Sequence, residues 1–219
     1  MTFDIDFLQR ILATIFKAMP LTLLLAFLSC IGAALLGFLL ETLRRTGRWQ
    51  GYLLRFVIDA LRSTPILVQI YFLYFVLPYY GLVLPGPVVG VLAMSLYYAS
   101  YLAEVFKAGI DGVPRGQTEA AMAVGLAPLD VTLRVVAPQM LRNIAAPMGN
   151  YFVSILKSTP YLAVIGVAEM MGTTLEIASD TFRYAEPMIL LGIVFLVLCS
   201  IIAWLVRLLE ARLMANTRR

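Results

Sequence analysis

The side chains best placed to do chemistry are polar groups set inside apolar sequence. Asn150, Ser154, Ser158 and Tyr161 recur at steps of three and four residues, so they share one stripe of an otherwise apolar helix, and Lys157 adjoins that stripe. An ammonium at the centre of a bilayer costs about 2.5–3.5 kcal/mol on insertion scales, so such a residue faces a cavity or a partner, or snorkels to an interface. One reading makes this stripe the wall of a solute path, and the other packs it against a further helix. Tyr97, Tyr98 and Tyr101 with Glu104 offer rings and a carboxylate to a cation, although each tyrosine is equally at home in a core or at an interface. Arg62 and Thr64 belong to a faint repeat: Leu61-Arg62-Ser63-Thr64-Pro65-Ile66-Leu67 returns as Leu156-Lys157-Ser158-Thr159-Pro160-Tyr161-Leu162. Each copy sets a cation and hydroxyls before a proline that kinks a helix, an arrangement suited to a solute carboxylate.

Other chemistries lack their residues. The chain has no histidine, the commonest metal ligand and general base. Cys30 and Cys199 each sit inside an apolar run and read as small buried hydrophobes. No nucleophile–base constellation and no G-x-x-x-x-G-K-[ST] phosphate loop occurs. No catalytic residue and no metal site is therefore expected, nor a cofactor bound by this chain.

The elements that must position these groups are membrane helices. Of 219 residues, 61% are hydrophobic and only 14% are charged, against about 25% charged in soluble domains, and the mean hydropathy is +0.88. The apolar residues fall in runs of the length that spans hydrocarbon, about 20 residues per helix. Five spans are predicted, at 19–40, 56–80, 87–103, 148–167 and 187–206, in an all-α multi-pass protein with a single transmembrane domain over 1–219. The first run is too long for a signal-peptide core and is expected to remain as a helix.

The net charge of +4 does not point to nucleic acid, because the basic residues flank the apolar runs. Arg44, Arg45, Arg48 and Arg55 precede the second run and Arg62 lies in its first part, counted with the same loop, and Lys107, Arg115, Arg134 and Arg142 lie between the third and fourth. Arg207, Arg212, Arg218 and Arg219 form the tail, and only Arg10, Lys17 and Arg183 fall on the opposite side. The positive-inside rule then puts the N-terminus outside and the C-terminus in the cytoplasm. Glu169, Glu176, Asp180 and Glu186 are expected near the outer surface, solvated or touching a soluble partner.

The longest segment between spans, about 112–143, reads as two short helices: one over 117–124, then Gly125 as a left-handed stop, then one opened by Pro128 and ended or bent by Pro138. Within it, Glu119-Ala120-Ala121, Gly125 and, nine residues on, Val135-Val136-Ala137-Pro138 resemble the EAA loop of ABC importer permeases, E-A-A-x3-G-x9-I-x-L-P. Val135 stands for the Ile and Ala137 for the Leu. The likeness extends along the chain. Arg62-Ser63-Thr64-Pro65-Ile66-Leu67-Val68-Gln69 is similar to the FRGTPLLVQ segment of the polar amino-acid branch, Tyr101 to Ile110 to its YxAEIFRGGI, and Val113-Pro114-Arg115-Gly116-Gln117 to its VPxGQ. Leu156-Lys157-Ser158-Thr159-Pro160 is similar to LKDTSL, but Ser158 replaces an acidic or amide residue and Pro160 a serine.

The resemblance implies a permease subunit of a type I binding-protein-dependent importer in the cytoplasmic (inner) membrane, not an enzyme. It implies a second permease subunit, identical or paralogous, two ATPase subunits that carry the ATP and Mg²⁺, and an extracytoplasmic solute-binding protein. Glu119, Ala120, Ala121, Gly125 and Pro138 would form the ATPase-coupling element. Arg62, Thr64, Tyr97, Tyr101, Glu104, Asn150, Ser154, Lys157, Ser158 and Tyr161 are the candidates for the solute path. The two departures leave the solute open, an opine or compatible solute included. The rival readings are a secondary transporter or channel working without ATP.

Overall fold

A computed structural model describes residues 5–215; Arg218 and Arg219 of the expected cytoplasmic tail lie outside them. The described residues contain helices and no strand. The first helix, α1 (Ile5–Arg44), contains the expected 19–40 run but is 40 residues long, about 60 Å at 1.5 Å per residue. Its small residues Ser29, Ala33 and Gly37 are buried and face α4 (Gly86–Asp111). A Cβ on Gly37 would come within 2.9 Å of Leu102 Cβ and 3.0 Å of the Ala99 carbonyl oxygen. Small residues thus let the two backbones approach closely, which is how helices gain packing energy in lipid.

The 56–80 run is not one helix. Residues 56–63 belong to α2 (Arg48–Ser63), which ends at Thr64 in an extended conformation (φ −99°, ψ 128°), because the ring of Pro65 excludes the helical region for the residue before it. The chain restarts as α3 (Ile66–Tyr71) and continues through a π-helical turn (Phe72–Val76) and a 3₁₀ turn (Leu77–Tyr80). The two halves meet at 101°. The Gln69 side-chain amide donates to the carbonyls of Leu61 at 2.9 Å and Thr64 at 3.3 Å, satisfying acceptors that the break leaves without helical partners.

After α4 come α5 (Arg115–Ala123) and α6 (Pro128–Asp130). Pro138 does not end a short second helix. A π-helical turn (Val131–Val136) carries α6 directly into α7 (Ala137–Ser158), and the wider turn before Pro138 relieves the clash of its ring with the preceding turn. Beyond α7 a 3₁₀ segment (Thr159–Ile165) closes on Gly166 at φ 74°. The second copy of the repeat therefore tightens its helix, where the first copy breaks it.

A further helix, α8 (Met170–Thr181), is capped by Glu169, whose side chain accepts from the Gly172 N–H at 2.8 Å. Glu169 is fully buried, contrary to its expected place at a solvated surface: a carboxylate at a helix N-terminus meets orphan N–H donors and the positive end of the dipole without water. Glu176 and Asp180 are exposed, and Glu186 pairs with Arg183. The chain closes with α9 (Ala185–Ala215).

The core lies among α1, α4 and α7, where Met94, Leu102, Ile144, Ile155, Leu156 and Leu162 are inaccessible. Large apolar side chains cover the outside of α1 and α9, among them Phe27, Leu35, Leu196 and Val197, as lipid in place of water requires. Among the described residues α1, α4 and α9 are long and apolar enough to cross a membrane, and five segments qualify if each bent pair, α2 with α3 and α7 with α8, counts as one.

Candidate functional site

Tyr97, Tyr98 and Tyr101 occupy successive positions along the α4 face that meets α7. Tyr97 and Tyr101 share a hydrogen bond between their hydroxyls (3.1 Å). The Tyr98 hydroxyl lies 2.7 Å from Ser158 Oγ and donates to the Ser154 carbonyl at 3.2 Å. Tyr151 of α7 stacks beside Tyr101, with ring centroids 5.6 Å apart. From the α2–α3 break, Arg62 places its guanidinium 5.2 Å from the Tyr101 ring centroid, within the range of cation–π attraction. Tyr161 is close enough to interact electrostatically with Tyr97 and Tyr98. Residues distant in sequence thus converge because α4 and α7 pack along the tyrosine face and the Pro65 break brings Arg62 to it.

Arg62, Tyr101, Glu104, Asn143, Pro147 and Tyr151 border one cavity of about 280 Å³. Thr64 does not border it, and its hydroxyl is spent on the Ala60 carbonyl at 2.8 Å. The serines are less available than their spacing promised, because Ser154 Oγ returns to the Asn150 carbonyl at 3.0 Å and Ser158 is buried. Asn150 and Lys157 are exposed. Lys157 is close enough to Cys199 of α9 to interact with it electrostatically. The alternative pairing of Lys157 with Glu104 is not formed; Glu104 Oε1 accepts from Arg44 at 2.6 Å, and among the described residues no carboxylate pairs with Lys157.

Sequence reasoning missed Tyr151 and Asn143. Tyr151 was within reach, since it precedes Ser154 by three and continues the same stripe. It also missed the knot of charge where α1 ends. Glu41 is almost wholly buried and binds both Arg44 and Arg45. Arg44 passes on to Glu104, and Arg45 to Asp111 at 2.7 Å, which Lys107 also meets at 2.9 Å. Burial lowers the pKa of Arg45, but its bonds to Asp111 and Glu41 outweigh that and raise it above its usual value. This chain of ion pairs ties the end of α1 to the end of α4, immediately before the segment that carries Glu119.

That segment is a knob. Gly125 has φ +83°, and the Leu126 N–H returns to the Ala121 carbonyl while the Gly125 N–H returns to Met122 (3.2 and 2.9 Å), the paired bonds of a Schellman stop. A Cβ at Gly125 would meet nothing within 4 Å, so the backbone conformation alone calls for glycine. Ala121 is buried in the turn, whereas Glu119, Ala120 and Pro138 are exposed. Met122, Val124, Leu129 and Leu133 expose half or more of their surface, an apolar patch larger than one small loop needs for itself.

Residues 33–215 match the family described as the binding-protein-dependent transport system inner membrane component. This chain belongs to that family. Among its relatives is a probable amino-acid ABC transporter permease of Sinorhizobium fredii, 35% identical over 96% of this chain and 91% of that protein. An octopine transport system permease of Rhizobium radiobacter is 32% identical over 100% of this chain and 93% of its own length. A chain from the crystal structure of an amino acid ABC transporter with histidines superposes with a TM-score of 0.88 at 30% identity, covering 97% of this chain and 100% of that one. The family places the protein in the inner membrane as the permease component of an importer that works with an ATPase and a binding protein. The secondary-transporter and channel readings give way to it.

Proposed function

We propose that this permease imports a polar amino acid or a related small solute by alternating access, driven by ATP hydrolysed on separate subunits that also hold the Mg²⁺. It crosses the membrane five times with the N-terminus outside and the C-terminus in the cytoplasm. A second permease, identical or paralogous, completes the pathway. Two ATPase subunits take the knobs, and an extracytoplasmic binding protein delivers the solute. The observation that carries this reading is the knob itself, an apolar patch held by a left-handed glycine at the junction of α4 and α7. Any tilt imposed on Glu119, Ala120, Ala121, Gly125 and Pro138 reaches both walls of the tyrosine cavity.

In that cavity the Arg62 guanidinium suits a carboxylate, and Glu104 with the Tyr101 ring suits an ammonium, so both ends of a zwitterion find a partner. Tyr97, Thr64, Ser154, Ser158 and Tyr161 lie outside that cavity and would belong to the path beyond it. Asn150 and Lys157 would face the second permease or the solute passing between the two. Relatives that carry amino acids and octopine support the solute class and keep an opine within it.

The test is reconstitution with the ATPase and binding protein. Uptake should require ATP, and Glu119→Lys should weaken ATPase attachment while insertion of the permease is unchanged. Lys157→Gln should retain ATPase attachment and raise the apparent KM for uptake. Single cysteines at Gly47 and Gln117 should be labelled from the cytoplasm and one at Gly81 from outside. Uptake without ATP, or labelling of positions 81 and 117 from the same side, would defeat the reading.

A further inference from the structure

The two ends of the 101° break are unlike. The α3 side is apolar, whereas α2 carries Arg48, Arg55 and Arg62 at intervals of seven residues along one stripe. On another face it carries Trp49, Tyr52, Leu53 and Phe56, which expose 88%, 63%, 64% and 71% of their surface. Its third face is taken. Ile58 is wholly buried, and a Cβ on Gly51 would come within 2.9 Å of the Arg44 carbonyl oxygen. Thus α2 is fastened by one side to the end of α1 and offers an apolar, aromatic side to whatever surrounds it.

With α3 running along a membrane normal, a 101° turn lays α2 in the plane of the membrane, level with the charged end of α1. A helix with low overall hydrophobicity, a Trp/Phe/Leu face and an arginine stripe lies in the headgroup boundary with its apolar side in the acyl region. The arginine stripe borders a cavity of about 610 Å³ whose wall also includes Arg44, Arg45 and Lys107 together with the carboxylates of Glu41, Asp59, Glu104 and Asp111. Arg44, Arg45 and Lys107 are engaged with carboxylates. Arg55 reaches Asp59 only at 4.0 Å, and Arg48 has no carboxylate partner among the described residues.

We infer that α2 is an interfacial helix seated on the anionic surface of the inner leaflet, with Trp49, Tyr52, Leu53 and Phe56 in the acyl boundary and Arg48 and Arg55 on lipid phosphates. The leaflet rests on the orientation proposed above; the seating of the helix in lipid does not. Arg48, without a carboxylate partner among the described residues, and Arg55, held only at 4.0 Å by Asp59, leave cationic charge beside the apolar face, and its complementarity to an anionic headgroup layer selects lipid as the occupant.

The full chain, reconstituted in nanodiscs of mixed phosphatidylglycerol and phosphatidylcholine, tests this through tryptophan fluorescence, with Trp49→Phe subtracted to remove the signal of Trp204. Brominated acyl chains should quench Trp49, more strongly when the bromine is on phosphatidylglycerol than on phosphatidylcholine, and aqueous iodide should not. Arg48→Gln and Arg55→Gln should each reduce the preference for the anionic lipid about fivefold, the equivalent of about 1 kcal/mol per charge. Quenching by iodide and not by bromolipid would overturn the inference by placing the helix in water. Quenching by neither would overturn it by placing Trp49 against a second copy of the chain. Equal quenching by both lipids would remove the headgroup half. None of these readings depends on uptake. Cysteine labelling that reversed the orientation, with Trp49 still quenched by lipid, would move the helix to the other leaflet and refute only the topology.

Discussion

The helix bundle and the knob use glycine for opposite reasons. In the bundle, Gly37 is glycine because of its neighbours: its φ is ordinary, and the space a Cβ would need is filled by Leu102 and the Ala99 carbonyl. In the knob, Gly125 is glycine because of its own backbone, since φ is +83° and the space around it is open. One region is specified by what it packs against within the chain. The other is specified by a turn, and its apolar side chains are left uncovered. A segment that holds a defined shape without burying its apolar surface is built to be completed by another molecule, which is the ground on which the coupling role is proposed for it.

Substitutions can break this contrast or sharpen it. Gly37→Val should have the largest effect on the stability of the permease. The obstructing Ala99 carbonyl belongs to a helix backbone and cannot rotate away, so a loss of about 3 kcal/mol is expected, visible as a lowered unfolding midpoint of the solubilised protein. Glu41→Ala should follow at about 2 kcal/mol: Arg44 and Arg45 lose their buried partner but keep Glu104 and Asp111. Unchanged melting in either variant would mean that the α1–α4 contact does not hold the bundle.

Gly125→Val should cost about 1 kcal/mol, confined to the turn, because a β-branched residue resists the left-handed region. The melting of the bundle should not move, yet ATP-driven uptake should fall, since the knob would present its helix at the wrong angle. If the bundle melts early instead, the knob is part of the core and the contrast is false. The smallest effect is expected at Gly116, where a Cβ meets nothing within 4 Å and φ is unexceptional. Gly116→Ala should change stability by less than about 0.5 kcal/mol and leave uptake intact.

Much of this was legible along the chain. The left-handed stop at Gly125 and the helix start at Pro128 were readable because each depends on residues within one turn. That the helix continues through Pro138 was not readable, because the escape from its clash, a π-helical turn, is a choice of backbone hydrogen bonding that residue types do not dictate. The 56–80 run was read as one span because hydropathy averages across a break. The signal was present in Pro65 and in the charges Asp59 and Arg62 before it, but the angle was not.

By itself the sequence determined a membrane protein of apolar helices and its local turns, because hydropathy and proline or glycine stereochemistry act over a few residues. Tertiary structure alone decided which polar groups meet. It withdrew Glu104 from Lys157 and gave it to Arg44, it buried Glu169 as a helix cap, and it brought Arg62 to the ring of Tyr101 across 39 positions. Periodicity specifies which face of a helix a residue occupies; which helix that face meets follows from close packing of α1, α4 and α7, where small residues allow one set of approaches and exclude the rest.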